Sequence, residues 1–246
     1  PALSMLRTAL VVDGRFSLDS FLGAVVLNGK FVTLVNSLVL TLGVVLLSTL
    51  VSFPLAYLMV RTDIARHGWL KLLFLVPFMT PPYISSMGWI LFMQKRGLLV
   101  QLLPWTKGAD ALFFSLGGLV MVMCINIFPF MVNILSNAMK NIGSDMDDAA
   151  RIAGASPVYV FLHVTVPLVR PAIISGAAMT FIISFRELVA SSLVSPPGVL
   201  TVSTFIMSEF DQGSVSVGMS MAVVCVAVTF VSLIVIEHFG VAKKRA

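Results

Sequence analysis

Charged side chains are scarce in this chain of 246 residues. Only 11% of the residues are Asp, Glu, Lys or Arg, whereas 58% are hydrophobic. Soluble domains carry about 25% charged residues. So few charges cannot cover a water-soluble fold of this length, and the composition therefore predicts that most of the surface meets lipid.

Cysteine and histidine are also sparse. The two cysteines, Cys124 and Cys225, lie within apolar stretches, which indicates buried hydrophobic side chains and argues against a disulfide framework. The three histidines, His67, His163 and His238, are far apart in the sequence, at or near the ends of such stretches. This spacing predicts no metal site within the chain.

Sequence motifs of hydrolytic chemistry are missing as well. Without His-Glu-x-x-His, Gly-x-Ser-x-Gly or paired intramembrane aspartates, the sequence argues against a membrane-embedded hydrolase. Without a Gly-x-x-x-x-Gly-Lys loop, any ATP chemistry must belong to another polypeptide. We see no internal repeat of the kind expected in an ion-coupled secondary transporter. We therefore predict a protein that is not itself an enzyme.

Long apolar blocks dominate what is present. Each exceeds the ~20 residues that cross a ~30 Å hydrocarbon core as a helix. The blocks cover residues 31–60, 70–93, 112–138, 168–194 and 215–239. They predict an all-α membrane protein, with one transmembrane domain over 1–246 and a core of five helices over about 25–240. Because the chain begins at Pro1, we expect a trimmed N-terminus or part of a longer polypeptide, and a missing first membrane helix is one of the alternatives.

The basic residues set a predicted orientation. They lie at the ends of the apolar blocks, which is typical of topology signals and argues against nucleic-acid binding despite a pI near 9.5. With the N-terminal segment outside, the inner loops and tail hold nine Lys and Arg residues and the outer segments hold six. This bias places the segment 140–167, called the insert below, and the C-terminus in the cytoplasm.

The first half of the insert has the signals of a short helix. Ser144 followed by Asp147 resembles a capping box with a shorter acid, which predicts a helix that begins near Asp145. Acidic residues in this first turn match the positive end of the helix dipole. Gly154 can end the helix in a left-handed conformation.

The second half has the signals of another short helix. Ser156 is a predicted N-cap and Pro157 a predicted first helical residue. We expect Pro167 to end this helix and Pro171 to begin the next span. The insert is thus predicted to be a stiff helix-turn-helix, although an ordinary amphipathic connector remains open from these signals alone.

The spacing in the insert resembles the permease subunits of binding-protein-dependent ATP-binding-cassette importers. Their signature is Glu-Ala-Ala, three residues, Gly, nine residues, and Ile-x-Leu-Pro. This sequence has Asp148-Ala149-Ala150, Gly154 and Val164-x-Val166-Pro167 at the same spacing. The departures are Asp for Glu and Val for both Ile and Leu.

The resemblance implies the type I importer fold in a bacterial inner membrane. It further implies that the insert is a coupling loop that docks on a cytoplasmic ATPase, through Asp148, Ala149, Ala150, Gly154, Ser156, Pro157, Val164, Val166 and Pro167. The implied partners are a second permease half, two ATPase subunits that bind ATP and Mg, and an extracytoplasmic solute-binding protein. This chain itself is expected to hold no cofactor.

Two further segments resemble a subgroup that carries ferric iron, polyamines, thiamine or 2-aminoethylphosphonate. They are Pro77-x-x-x-Pro81-Pro82-Tyr83 and Arg186-Glu187-Leu188. Ferric iron is the substrate we expect first, with the other three as alternatives. Pro81, Pro82, Tyr83, Arg186 and Glu187 are candidates for the translocation path or its gate. For Arg186 and Glu187, which we place inside a span, pairing with a sister half is the alternative.

Overall fold

The computed structural model describes residues 2–12, 15–25, 30–62, 68–143 and 145–241, and this part of the chain is almost entirely helical. The predicted all-α class is confirmed. The helices are α1 (Ala2–Leu10), α2 (Asp19–Val25), α3 (Phe31–Arg61), α4 (Gly68–Met79), α5 (Pro82–Met93), α6 (Leu98–Leu102), α7 (Ala109–Phe113), α8 (Leu116–Ile142), α9 (Asp145–Ile152), α10 (Pro157–Val160), α11 (Val166–Phe185), α12 (Val189–Val194), α13 (Val202–Asp211) and α14 (Val215–Val241). A 3-10 turn (Pro104–Thr106), a π turn (Phe161–Thr165) and a small antiparallel hairpin of β1 (Val11–Val12) and β2 (Arg15–Phe16) complete the described elements.

Four stretches of helix in the described residues are long and apolar enough to cross a membrane. They are Phe31–Arg61, Leu116–Ile142, Pro157–Phe185 and Val215–Val235. Each overlaps one of the predicted apolar blocks, so length and hydrophobicity alone locate most of the spanning helices.

The predicted block 70–93 does not form one continuous helix. It is divided into α4 and α5, each of 12 residues, with the break at Thr80 and Pro81. Pro81 has an extended ψ of 135°, and Pro82 opens α5 as its first residue. Two consecutive prolines remove two backbone donors and disfavour helical geometry at the preceding residue, which explains why the helix ends there.

The expectation that Pro167 ends the second insert helix is wrong. Helix α10, the π turn and α11 form one uninterrupted helical path from Pro157 to Phe185, and Pro167 lies in the first turn of α11. In a regular helix the ring of Pro167 contacts the carbonyl of His163, four residues earlier. The wider π turn directly before Pro167 changes this spacing, so the helix continues.

Helix α3 organises the interior. It packs along α8 and also contacts α11 and α13. One buried cluster includes Leu40 and Val44 of α3, a second includes Leu34, and a third includes Phe53 and Ala56. All three described core clusters therefore share this one helix. The ends of α3 define the two ends of the bundle: the insert lies at the end marked by Arg61, and α13 lies at the opposite end.

Candidate functional site

The insert begins as the sequence predicts. Helix α9 starts at Asp145; Ser144, the predicted cap, lies outside the described residues. Gly154 has a φ of +89°. The backbone N–H of Gly154 donates to the carbonyl of Arg151 at 2.9 Å, and that of Ala155 donates to Ala150 at 3.0 Å. This left-handed closure confirms Gly154 as the residue that ends the helix.

The start of the second helix is also confirmed. The Ser156 hydroxyl accepts a hydrogen bond from the backbone N–H of Tyr159 at 3.3 Å, and Pro157 occupies the first helical turn. Both features satisfy or remove the donors that a helix start leaves unpaired. The turn between α9 and α10 is therefore fixed from both sides by its own residues.

A buried polar contact that the sequence did not reveal joins the insert to α3. Asp147 is only 3% exposed, and its Oδ2 lies 2.7 Å from the Nε of Arg61. Its other oxygen, Oδ1, accepts a hydrogen bond from the Thr165 hydroxyl at 3.1 Å. Arg61 also donates from Nη2 to the carbonyl of Gly143. From the sequence, Asp147 is assigned only to the start of the helix, and Arg61 is one of the basic residues used only to orient the chain.

Aromatic rings form a second contact between the insert and α3. Phe161 of the π turn meets Phe53 and Tyr57 edge-on, with both pairs of ring centroids 4.9 Å apart. The Tyr57 hydroxyl accepts a weaker hydrogen bond from Nη2 of Arg151 at 3.4 Å. Sequence reasoning missed this cluster, because an aromatic side chain in an apolar segment gives no sign of which partner it meets.

The exposed face of the insert carries large apolar side chains. Ile152 is 89% exposed. The exposed set, called the insert surface below, is Met146, Ile152, Val158, Tyr159 and Leu162. Such a group of exposed apolar residues beside charged ones is typical of a surface that binds a protein partner.

The signature residues border this surface in two groups. Ala150, Val164 and Val166 are half-buried against the rest of the protein. The exposed residues are Asp148, Ala149, Gly154, Ser156, Pro157 and Pro167. The structure therefore brings the predicted coupling residues together at one end of the bundle, with Asp148 free of any ion pair within the described residues.

The proposed path residues lie at two helix breaks. Pro81, Pro82 and Tyr83 are exposed at the break between α4 and α5. A cavity of about 420 Å³ adjoins this break, with a mainly apolar wall. Helix α5 packs against α12, which follows Glu187.

Arg186 and Glu187 do not lie inside a continuous span as predicted, because the helix breaks at these residues. The Glu187 carboxylate accepts hydrogen bonds from the backbone N–H groups of Val189 at 3.1 Å and Ala190 at 3.0 Å. It therefore caps the start of α12. Arg186 is exposed and makes no ion pair with a described residue.

The opposite end of the bundle has its own ion pair. Lys30 Nζ lies 2.9 Å from Oε1 of Glu209, and its ammonium group lies 5.0 Å from the ring centroid of Phe205. Glu209 is buried, so Lys30 pairs with it largely out of contact with water. Asp211 is exposed and lines a cavity of about 450 Å³ between α12 and α13.

This chain matches a known protein family. Residues 68–241, more than half of the chain, match the family described as "Binding-protein-dependent transport system inner membrane component". The chain belongs to this family. It is therefore a permease subunit of an ABC importer, a multi-pass protein of the inner membrane and a non-catalytic component of transport.

Two relatives and one solved structure illustrate the similarity. The putative 2-aminoethylphosphonate transport system permease protein PhnV of Salmonella paratyphi A is 25% identical over 94% of this chain and 82% of the relative. The spermidine/putrescine transport system permease protein PotB of Escherichia coli is 25% identical over 73% of this chain and 66% of the relative. A bacterial alginate ABC transporter, solved in complex with an alginate pentasaccharide-bound periplasmic protein, has a TM-score of 0.78 at 13% identity over 98% of this chain and 88% of that one. The last comparison shows a shared fold.

Proposed function

We propose that this permease forms one half of the membrane channel of an ATP-driven importer, and that its insert docks on a cytoplasmic ATPase. The observation that carries this proposal is the geometry of the insert. Two short capped helices present an exposed apolar surface, while the buried pair of Asp147 and Arg61 ties them to a membrane-spanning helix. A stiff element of this kind can transmit a displacement from a partner to the membrane helices.

The partners follow from this arrangement. A second permease half completes the path, two ATPase subunits bind ATP and Mg, and a solute-binding protein delivers the substrate from outside. The insert and the C-terminus face the cytoplasm. The pairing of Arg61 with Asp147 supports this orientation, because it brings the basic end of α3 and the insert to the same end of the bundle.

The substrate we propose is 2-aminoethylphosphonate or a closely similar small organic solute with an amino group. Support comes from the relatives, whose names give 2-aminoethylphosphonate and spermidine/putrescine as the transported compounds. They do not support our first expectation of ferric iron. The relative named for the phosphonate aligns over the larger share of this chain, and the polyamines are therefore the second candidate.

Uptake into proteoliposomes tests the proposal. The permease is co-purified from native membranes with its attached subunits, reconstituted, and supplied with the solute-binding protein and ATP. We expect ATP-dependent accumulation of labelled 2-aminoethylphosphonate. Spermidine and ferric iron are tested in parallel assays. Accumulation must continue after the proton gradient is dissipated at constant ATP. Uptake that stops with the gradient, or that needs no ATP, contradicts the proposal.

A further inference from the structure

Two neighbouring carboxylates in α9 have opposite surroundings. Asp147 is 3% exposed and bound on both oxygens, whereas Asp148 is exposed and unpaired within the described residues. Consecutive residues of a helix point in different directions, so one faces the bundle and the other faces away from it. Only Asp148 occupies the acidic position of the signature in the insert.

The Asp147 carboxylate is held by one residue that precedes the insert and by one near the end of the insert. Arg61 ends α3, and Thr165 ends the π turn that leads into α11. Arg61 also donates to the carbonyl of Gly143, which directly follows α8. The Asp147 carboxylate is therefore bonded directly to the end of α3 and to the π turn before α11, and Arg61 links it to the residue that follows α8.

This contact is the main polar link between α9 and the membrane helices. Helix α9 has only eight residues, and it packs most closely on α10 and the π turn. The other described polar bond from α9 to α3 is the exposed one of 3.4 Å from Arg151 to Tyr57. A charge left buried without its partner is strongly unfavourable, so Asp147 and Arg61 are held together.

Helix α3 can pass on any displacement that α9 receives. It contributes residues to all three described core clusters, and its far end is joined to α13 by the pair of Lys30 and Glu209. Tightly packed interiors transmit strain, because they have little free volume in which to absorb it.

We propose that Asp147 is a positioning residue for coupling: its pairing with Arg61 makes α9 and α3 move as one body, while Asp148 stays free to meet the ATPase. This assignment rests on the proposed docking of the insert. The two adjacent carboxylates then have different roles: Asp147 transmits motion to the membrane helices, and Asp148 contacts the ATPase.

Spin labels test, in the permease alone, whether the pairing of Asp147 with Arg61 holds α9 to α3. Labels at Ile152→Cys on α9 and Leu50→Cys on α3 occupy two exposed positions. We expect Asp147→Asn and Arg61→Gln to broaden the distribution of distances between the labels, and the matched control Asp148→Asn to leave it unchanged. Equal distributions in all variants overturn the proposal. This measurement needs no ATPase, so it is independent of whether docking occurs.

The ratio of solute transported to ATP hydrolysed tests whether Asp147 is needed to couple ATP hydrolysis to transport. In the reconstituted complex we expect Asp147→Asn to lower this ratio about tenfold while ATPase binding is retained. The reason is that α9 is no longer tied to α3 by an ion pair. We expect Asp148→Asn to weaken ATPase binding instead. If wild-type permease binds no ATPase, the proposed function fails, whereas a normal ratio in Asp147→Asn with ATPase bound overturns only the positioning assignment.

Charge exchange separates coupling from simple loss of fold. The double variant Arg61→Asp with Asp147→Arg restores the opposite charges across the same contact. We expect it to recover a substantial part of the ratio that either single variant loses. Should the exchanged pair fail to insert, Asp147→Glu serves in its place, since it keeps the charge and needs only a small shift of Arg61. A normally inserted Asp147→Glu with a ratio as low as that of Asp147→Asn overturns the proposal.

Discussion

Lys30 and Glu209 form an ion pair of 2.9 Å that joins α3 to α13 at the end of the bundle opposite the insert. The two side chains are 24% and 10% exposed, so water screens the pair only in part. Val202 strengthens the same junction, because its backbone N–H donates to the buried Ser37 hydroxyl at 2.7 Å. Helix α13 is therefore attached to α3 by polar contacts as well as by apolar packing.

Breaking this pair should loosen α13. We expect Glu209→Gln to lower the free energy of unfolding by about 1–3 kcal/mol, since Lys30 then lacks its partner at a partly screened site. The midpoint of unfolding in mixed detergent micelles measures the loss. Asp211→Asn is the matched control, because Asp211 is exposed and has no ion pair with a described residue. A loss of the same size in the control argues against a specific pair.

Glu187 should tolerate loss of charge better than loss of its side chain. Gln keeps an oxygen that can accept from the start of α12, whereas Ala keeps none. We therefore expect Glu187→Ala to cost about 1–2 kcal/mol of stability and Glu187→Gln to cost less. Unfolding and uptake are measured on both variants. If Gln stops uptake at unchanged stability, the charge itself acts in the translocation path, as the sequence suggested.

Gly154 should be sensitive to substitution for a backbone reason. A Cβ added there meets no atom within 4 Å, so the cost arises from the φ of +89°. We expect Gly154→Ala to destabilise the turn by about 1 kcal/mol. Gly154→Asp adds a carboxylate beside the insert surface, and we expect it to abolish uptake while the protein stays in the membrane.

Gly154→Asn is the control that separates strain from charge. Asn tolerates the left-handed conformation better than most residues and has nearly the shape of Asp without its charge. We expect Gly154→Asn to retain more uptake than Gly154→Asp. The reverse order, measured at equal membrane levels, contradicts this account of the turn.

Ile152 should matter for partner binding and not for folding. It is 89% exposed on the insert surface, while Leu102 is 71% exposed outside the insert. We expect Ile152→Asp to weaken ATPase binding at least about tenfold, because a charge replaces an exposed apolar side chain on the proposed docking surface. Leu102→Asp is the control, and it should leave binding unchanged. Binding is measured by co-purification from membranes.

Local signals in the sequence predicted much of the insert. The start at Asp145, the left-handed Gly154 and the Ser156 cap each depend on residues close by in the chain, so short motifs suffice to find them. Four of the five predicted membrane spans were found for a similar reason, since hydrophobic length is a property of one segment.

Contacts between distant segments were beyond prediction. Arg61 and Asp147 are 86 positions apart, and no pattern in one segment identifies a partner in the other. The continuous path through Pro167 was missed because proline ordinarily interrupts a helix, and the π turn that accommodates it has no sequence signature we used. Glu187 was read as an intramembrane charge because the break at Arg186 was not foreseen.

Photo-crosslinking from position 152 tests the central claim most directly. A crosslinking amino acid replaces Ile152 in the assembled importer, in vesicles whose cytoplasmic face is accessible. We predict a product with a subunit that mass spectrometry identifies as an ATPase, and a yield that changes when ATP is bound. Absence of an ATPase product from 152 in a complex that still transports, or labelling of this position only from the external side, contradicts the account.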